Sequence, residues 1–322
     1  MMTYFRNLFR FIPKSEARAI FLSLAVGISL LFVKLVAYAY TQSAAVLSDA
    51  LEQVVNVVAS VFAIYSLSTA HRPADEEHPY GHGKIEFLSA GFEGGMIVLA
   101  AIIMIGSATR RMHHIIGHDK QLESIGVGLS LMAVAMAVHG VLGLYLLKIS
   151  RRDNSITLEA EGWHLLTDSM TSAVAAVALL IVHRTGWNYA DPIGAIIIAV
   201  YISITGYKLV RRAAAGLMDE QDRSDEKMLR ELLDAHVNAK STGREPRICG
   251  YHKLRHRHSG RYHWVDFHVT LPARWDIQRA HQVASTVEYE IEQALSIGNA
   301  TAHIEPCDDP NCEACAATHN GK

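Results

Sequence analysis

Six long apolar runs, separated by short polar stretches, fill the first two thirds of the chain. They cover Ala19–Tyr40, interrupted by Lys34, then Ala44–Ala70, Ile85–Ser107, Ser124–Leu147, Gly162–Val182 and a shorter Pro192–Tyr207. A helix needs about 20 apolar residues to cross a bilayer, so this pattern predicts six spans, the last a short one. The first run continues past signal-peptide length and has no small-residue cleavage site, so it is expected to stay as a span.

Beyond Arg212 the period changes. Asp219–Lys227 is charged and hinge-like, and from Ser224 to Lys240 the residues Met228, Leu229, Leu232, Leu233, His236 and Val237 recur at helical spacing. Tyr251–His258 and His263–Leu271 read as strands. In the second, Val265, Phe267, Val269 and Leu271 alternate with Trp264, Asp266, His268 and Thr270. Ser259-Gly260-Arg261 suits the hairpin turn between them. Asp276–Leu295 is an amphipathic helix and Asn299–Ile304 a last strand. The fold expected is therefore membrane α-helical, with six transmembrane helices over 1–213. A C-terminal cytoplasmic α+β ferredoxin-like domain (α-β-β-α-β) follows over 214–306, then a tail containing cysteine and histidine over 307–322.

Composition agrees. Half of the residues are hydrophobic and mean hydropathy is +0.14, which suits a membrane protein with a soluble appendage. The formal net charge of −2 gives no footprint for nucleic acid. The basic residues fix an orientation. Arg6, Arg10, Lys14, Arg18, Arg72, Lys84, Lys148, Arg151, Arg152, Lys208, Arg211 and Arg212 fall on the side of the termini, against Arg110, Arg111, Lys120 and Arg184 on the other. The excess predicts an integral membrane protein with both termini in the cytoplasm.

The chemistry lies in the titratable groups inside those spans. From Gly162 to Val182 the only full charge is Asp168, and His164 stands one helical turn before it on the same face. A carboxylate at bilayer depth costs about 2.5–3.5 kcal/mol on insertion scales, so it needs a partner, a cavity or an ion. Asp49, Glu52 and Asn56 share one face of span two. Glu52, Asn56, His164 and Asp168 would make a four-ligand set for a divalent ion, with Asp49 as a fifth participant or an entry group. The plainer alternative is polar pairing from helix to helix. Glu86 and Glu93 lie in span three, and His139 lies in span four.

Asp75, His78 and His82 sit in the turn between spans two and three, close enough to meet on one ion or simply to titrate in water. The soluble part adds His252, His268, His281, His303 and Glu305, on different predicted elements that the sequence alone cannot bring together. His256, His258 and His263 read as surface residues. Of the four cysteines, Cys249 stands alone. Cys307-x4-Cys312-x2-Cys315, with His319, has thiolate spacing for a soft ion and equally suits a loose chain end.

These strings resemble the cation diffusion facilitators, proton-coupled exporters of divalent metals. The resemblance rests on Ser48-Asp-Ala-Leu-Glu-Gln-Val-Val-Asn56, His78-Pro-Tyr-Gly-His-Gly-Lys-Ile-Glu86 and His164-Leu-Leu-Thr-Asp168, and runs from about Ala19 to Pro306. It implies that Glu52, Asn56, His164 and Asp168 are the transport site and that Asp75, His78 and His82 are a loop site. It further implies that His252, His268, His281, His303 and Glu305 form a cytoplasmic site bridging a homodimer, and that Lys84 pairs with an acid, here Asp219. Zinc members usually carry His-x3-Asp or Asp-x3-Asp in span two, where this chain has Glu52-x3-Asn56. Glu305 stands where bacterial zinc exporters have aspartate, and Glu93 is an added acid. Zinc leads, with iron, cobalt, nickel and cadmium open, while His164 argues against manganese. The expected function is a cation:proton antiporter, not an enzyme. A non-transporting metal sensor and an intramembrane metallohydrolase are the rivals; the chain has no His-Glu-x-x-His string and no phosphate-cradling glycine loop.

Overall fold

The computed structural model describes residues 12–41, 44–115, 125–187, 189–237, 243–295 and 297–309, with Cys312 and Cys315. Side chains at several helix positions, among them Asp49 and Glu52, lie outside the described set. The chain divides into two units, through Leu217 and from Met218.

The first unit holds α1 (Lys14–Thr41), α2 (Ala44–Ala70), α3 (Ile85–Ile115), α4 (Ile125–Asp153), α5 (Ile156–Thr185) and α6 (Ala190–Leu217). All six are long and apolar enough to cross a membrane. Their outer surface is far more apolar than that of a soluble protein. Phe32, Val141 and Ile197 are 68%, 71% and 67% exposed, whereas Ser23, Ser60, Glu93 and Glu161 are buried. Large apolar side chains facing outward, with the few buried acids and hydroxyls kept among apolar residues such as Ile20, Leu67, Ile97 and Leu146, are what a lipid surround selects.

Two boundaries differ from those expected. Helix α5 starts at Ile156 rather than Gly162, because the Ser155 side chain accepts from the Leu158 N–H and caps it. Glu159 and Glu161 therefore lie inside the helix. Helix α6 is not short. Lys208–Leu217 continues it, since the segment is rich in Ala, Leu and Arg and has no proline.

Glycines allow close helix approaches. A Cβ on Gly206 would meet the Gly94 carbonyl oxygen at 2.9 Å, so α3 and α6 touch backbone to backbone. Gly143 and Gly162 do the same for α4 and α5, with the Gly162 carbonyl oxygen 2.9 Å from a Cβ on Gly143. That contact anchors α5 one half-turn before His164.

The second unit runs α7 (Arg223–Val237), β1 (Gly250–Ser259), β2 (Tyr262–Pro272), α8 (Ile277–Leu295) and β3 (Gly298–Cys307). The sheet order is β1-β2-β3, with β1 antiparallel and β3 parallel to β2, and α8 makes the parallel crossover. The expected alternation holds. Val265, Phe267, Val269 and Leu271 face a core completed by Leu229 and Leu233 of α7 and by Val287 and Ile291 of α8.

Strand β1 carries a bulge that its sequence does not announce. His252 pairs with His268 and Arg255 with Asp266, so Lys253 and Leu254 together oppose Phe267. Lys253 takes φ +51°, a left-handed conformation that non-glycine residues rarely adopt. The extra residue reverses the strand's alternation. Tyr251 packs on the core before it and Leu254 after it. His252 is thereby left exposed on the outer face, whereas His256 is buried on the inner one.

Candidate metal centres

Helices α2 and α5 bring Asn56, His164 and Asp168 together. Asn56 Nδ2 donates to Asp168 Oδ2 at 3.0 Å, and Asn56 Oδ1 lies 3.1 Å from His164 Nε2. His164 Nε2 is 3.8 Å from Asp168 Oδ2. His164 is 9% exposed, and its Nδ1 is buried without a hydrogen bond. An amide, an imidazole and a carboxylate thus converge on one point along adjacent spans. Glu52 falls one turn before Asn56 on α2, and its side chain, like that of Asp49, lies outside the described residues.

Beside this triad is a small cavity of about 10 Å³, the room a single water needs. Asn56, Ser60, His139, Glu161 and His164 are among its lining residues. Glu161 Oε1 accepts from Ser23 Oγ at 2.5 Å and from Ser60 Oγ at 2.6 Å. Glu93 on α3 is also buried, with neither carboxyl oxygen hydrogen-bonded. Glu93 and His139 stand out within apolar runs of the sequence, whereas Glu161 lies just before the run that begins at Gly162 and so falls outside the expected span. The Ser155 cap was the signal that would have found it.

In the α2–α3 turn, Asp75 Oδ1 is 3.3 Å from His78 Nδ1 and Asp75 Oδ2 is 3.4 Å from His82 Nε2. The His78 backbone N–H donates to Asp75 at 2.7 Å, and this bond holds the Asp75 carboxyl below its ordinary range, with smaller help from the two imidazoles. Gly81, at φ +76°, lets the turn close so that the rings lie 4.4 Å apart.

On the outer face of the sheet, His252, His268 and His303 stand in register across the three strands. Glu305 bridges two of them, with Oε2 at 3.1 Å from His252 Nε2 and Oε1 at 2.6 Å from His268 Nδ1. The hydrogen bond from His268 lowers the Glu305 pKa, and His252 adds to it. His252, His268 and Glu305 present donor atoms within mutual reach of one ion, and the His303 ring packs 4.7 Å from His268. His281 is exposed on α8 and is not in that group. Asp219, the acid expected opposite Lys84, has Arg257 Nη1 3.5 Å from its Oδ2.

Two further clusters correct the sequence reading. His256, His258 and His263 are not loose surface residues. The bulge turns His256 and His258 to the inner face, where the hairpin sets His258 opposite His263. Asp225, in the first turn of α7, lies 3.8, 3.2 and 3.6 Å from His256 Nε2, His258 Nε2 and His263 Nδ1. Burial, and then the neighbouring His258, push His263 down to about 4. Cys249 is not isolated either. Its sulfur lies 3.6 Å from that of Cys315, and Cys307 and Cys312 complete the group. His319 lies outside the described residues.

Comparison with known proteins gives the same division of the chain. Residues 20–218 match the family model described as the cation efflux transmembrane domain. Residues 233–307 match the one described as the cytoplasmic domain of cation efflux proteins. An uncharacterised transporter of Synechocystis is 34% identical over 289 residues, 90% of each chain. The cation-efflux pump FieF of Shewanella oneidensis is 27% identical over 284 residues, 88% of this chain and 92% of its own. FieF of Salmonella arizonae is 25% identical over 291 residues, 90% and 93% of the two chains.

Proposed function

This chain belongs to the cation efflux family, the cation diffusion facilitators, and from that premise we propose that it exports a divalent metal ion in exchange for protons. The convergence of Asn56, His164 and Asp168 at the α2–α5 contact carries this reading, with Glu52 as the fourth ligand. Oxygen and imidazole donors in that mixture suit zinc first, then iron, cobalt, nickel or cadmium.

Proton coupling follows from the ligand chemistry. The metal requires neutral imidazole and ionised carboxylate, so a metal arriving from the cytoplasm displaces protons from His164 and its neighbouring acids. Protons entering from the far side after the bundle rocks outward then release it. Buried Glu93 and Glu161 add protonatable groups beside this path.

The loop triad Asp75, His78 and His82 serves as a second metal site. His252, His268, His303 and Glu305 form a third, to which His281 contributes across a homodimer. The half-exposed donors on the outer sheet face support that bridging role. Both termini face the cytoplasm, in keeping with the basic residues at the span ends.

Proteoliposomes holding a zinc-sensitive dye test the reading. Zinc entry should follow an imposed proton gradient and stop when an uncoupler collapses it. Zinc binding without entry would instead support a sensor.

A further inference from the structure

Cys249 and Cys307 come to one end of the sheet by topology. The start of antiparallel β1 and the end of parallel β3 both flank the C-terminal end of β2. Cys249 N–H donates to the Thr270 carbonyl at 2.9 Å, and Cys307 pairs with Pro272. The chain after β3 then turns back, with Cys312 N–H bonding the Asp309 carbonyl at 3.2 Å. This returns Cys312 and Cys315 to the same spot. All four sulfurs lie within 4.8 Å of one another, and Cys312 is buried.

We propose that Cys249, Cys307, Cys312 and Cys315 form a closed four-thiolate site for zinc or a softer ion. Bonds of about 2.3 Å in a tetrahedron put sulfurs about 3.8 Å apart, close to the 3.6 Å between Cys249 and Cys315. Four thiolates leave no open position, so the ion is structural: it staples the tail to the sheet end and does not travel with the exported metal. On binding, the thiol protons pass to water. The site is independent of the transport reading, since it uses none of the same residues.

The test is cobalt titration of the reduced full-length protein in detergent. Wild type and Asp168→Ala should both show the thiolate-to-cobalt charge-transfer band of a tetrahedral sulfur site. Cys312→Ser/Cys315→Ser should lose the band and bind one ion fewer per chain. Absence of the band in reduced wild type, or its persistence in the double variant, overturns the proposal. A second readout requires no variant: zinc should slow alkylation of all four thiols at least about tenfold, and unchanged alkylation overturns it as well.

The inner-face cluster independently carries a second site. We infer that Asp225, His256, His258 and His263 hold one borderline divalent ion such as zinc, tying the first turn of α7 to the β1–β2 hairpin. Their donor atoms all lie within 4.8 Å of one another, and His256 is 3% exposed. Zinc should protect His258 and His263, the two that solvent reaches, from diethylpyrocarbonate in the full-length protein, read by peptide mass spectrometry. Protection should survive His252→Ala/His268→Ala and be lost in Asp225→Asn. Labelling that ignores zinc, or protection that vanishes with the outer-face pair, overturns it.

Discussion

At Glu161 one carboxyl oxygen accepts from two serine hydroxyls on two other helices, so a single acid ties α5 to α1 and α2. Removing it takes the shared acceptor from both buried hydroxyls. Glu161→Ala should destabilise the helical unit by about 2 kcal/mol, the cost of unmet buried hydrogen-bonding groups, and Glu161→Gln by less because it keeps an acceptor. Thermal unfolding in detergent reads this, and an unchanged midpoint in the alanine variant would contradict it. Glu290 makes a matching case in the soluble unit. Burial raises its pKa, but the Arg244 guanidinium and His236 outweigh that and leave it lowered. Its contribution is fully present above the ordinary glutamate pKa and is lost as pH falls through the lowered one. Glu290→Gln should therefore flatten the acid limb of soluble-unit unfolding followed by tryptophan fluorescence.

Among the elements, β1 shows how one residue reassigns a whole strand. Without the bulge at Lys253, His252, His256 and His258 would share a face; with it, they feed two separate clusters. Lys253→Val places a β-branched side chain at positive φ and should cost about 1–3 kcal/mol, while Lys253→Gly should be tolerated. Denaturant unfolding distinguishes the two, and equal effects would contradict the strain. The sequence made the six spans and the α-β-β-α-β order legible because both rest on periodicity. It also placed His164 and Asp168 on one helix face. It could not show the bulge, since Lys253 is not a turn residue, and so it sent His256 and His258 to the surface; His263 follows the β2 alternation inward and needed only Asp225 of α7 to reveal its cluster. Nor could it see Cys249 beside the tail, because that meeting depends on β3 running parallel to β2.

Across the whole molecule the potential ligands are sorted by chemistry. Oxygen and imidazole donors lie between the spans, imidazole and carboxylate lie in the turn and on the sheet, and thiols lie only at the sheet end. Thiolates prefer soft ions, so keeping them at the sheet end suits a membrane site that, in the proposed export cycle, must release its ion. In the proposed export cycle the ion crosses at the α2–α5 triad. The most direct measurement is zinc flux into proteoliposomes containing Asn56→Ala, His164→Ala or Asp168→Ala, each beside His268→Ala as a control on the soluble unit. Each triad variant should lose nearly all gradient-driven flux while remaining folded, and His268→Ala should keep a measurable rate. Full flux in Asp168→Ala would show that the ion crosses elsewhere.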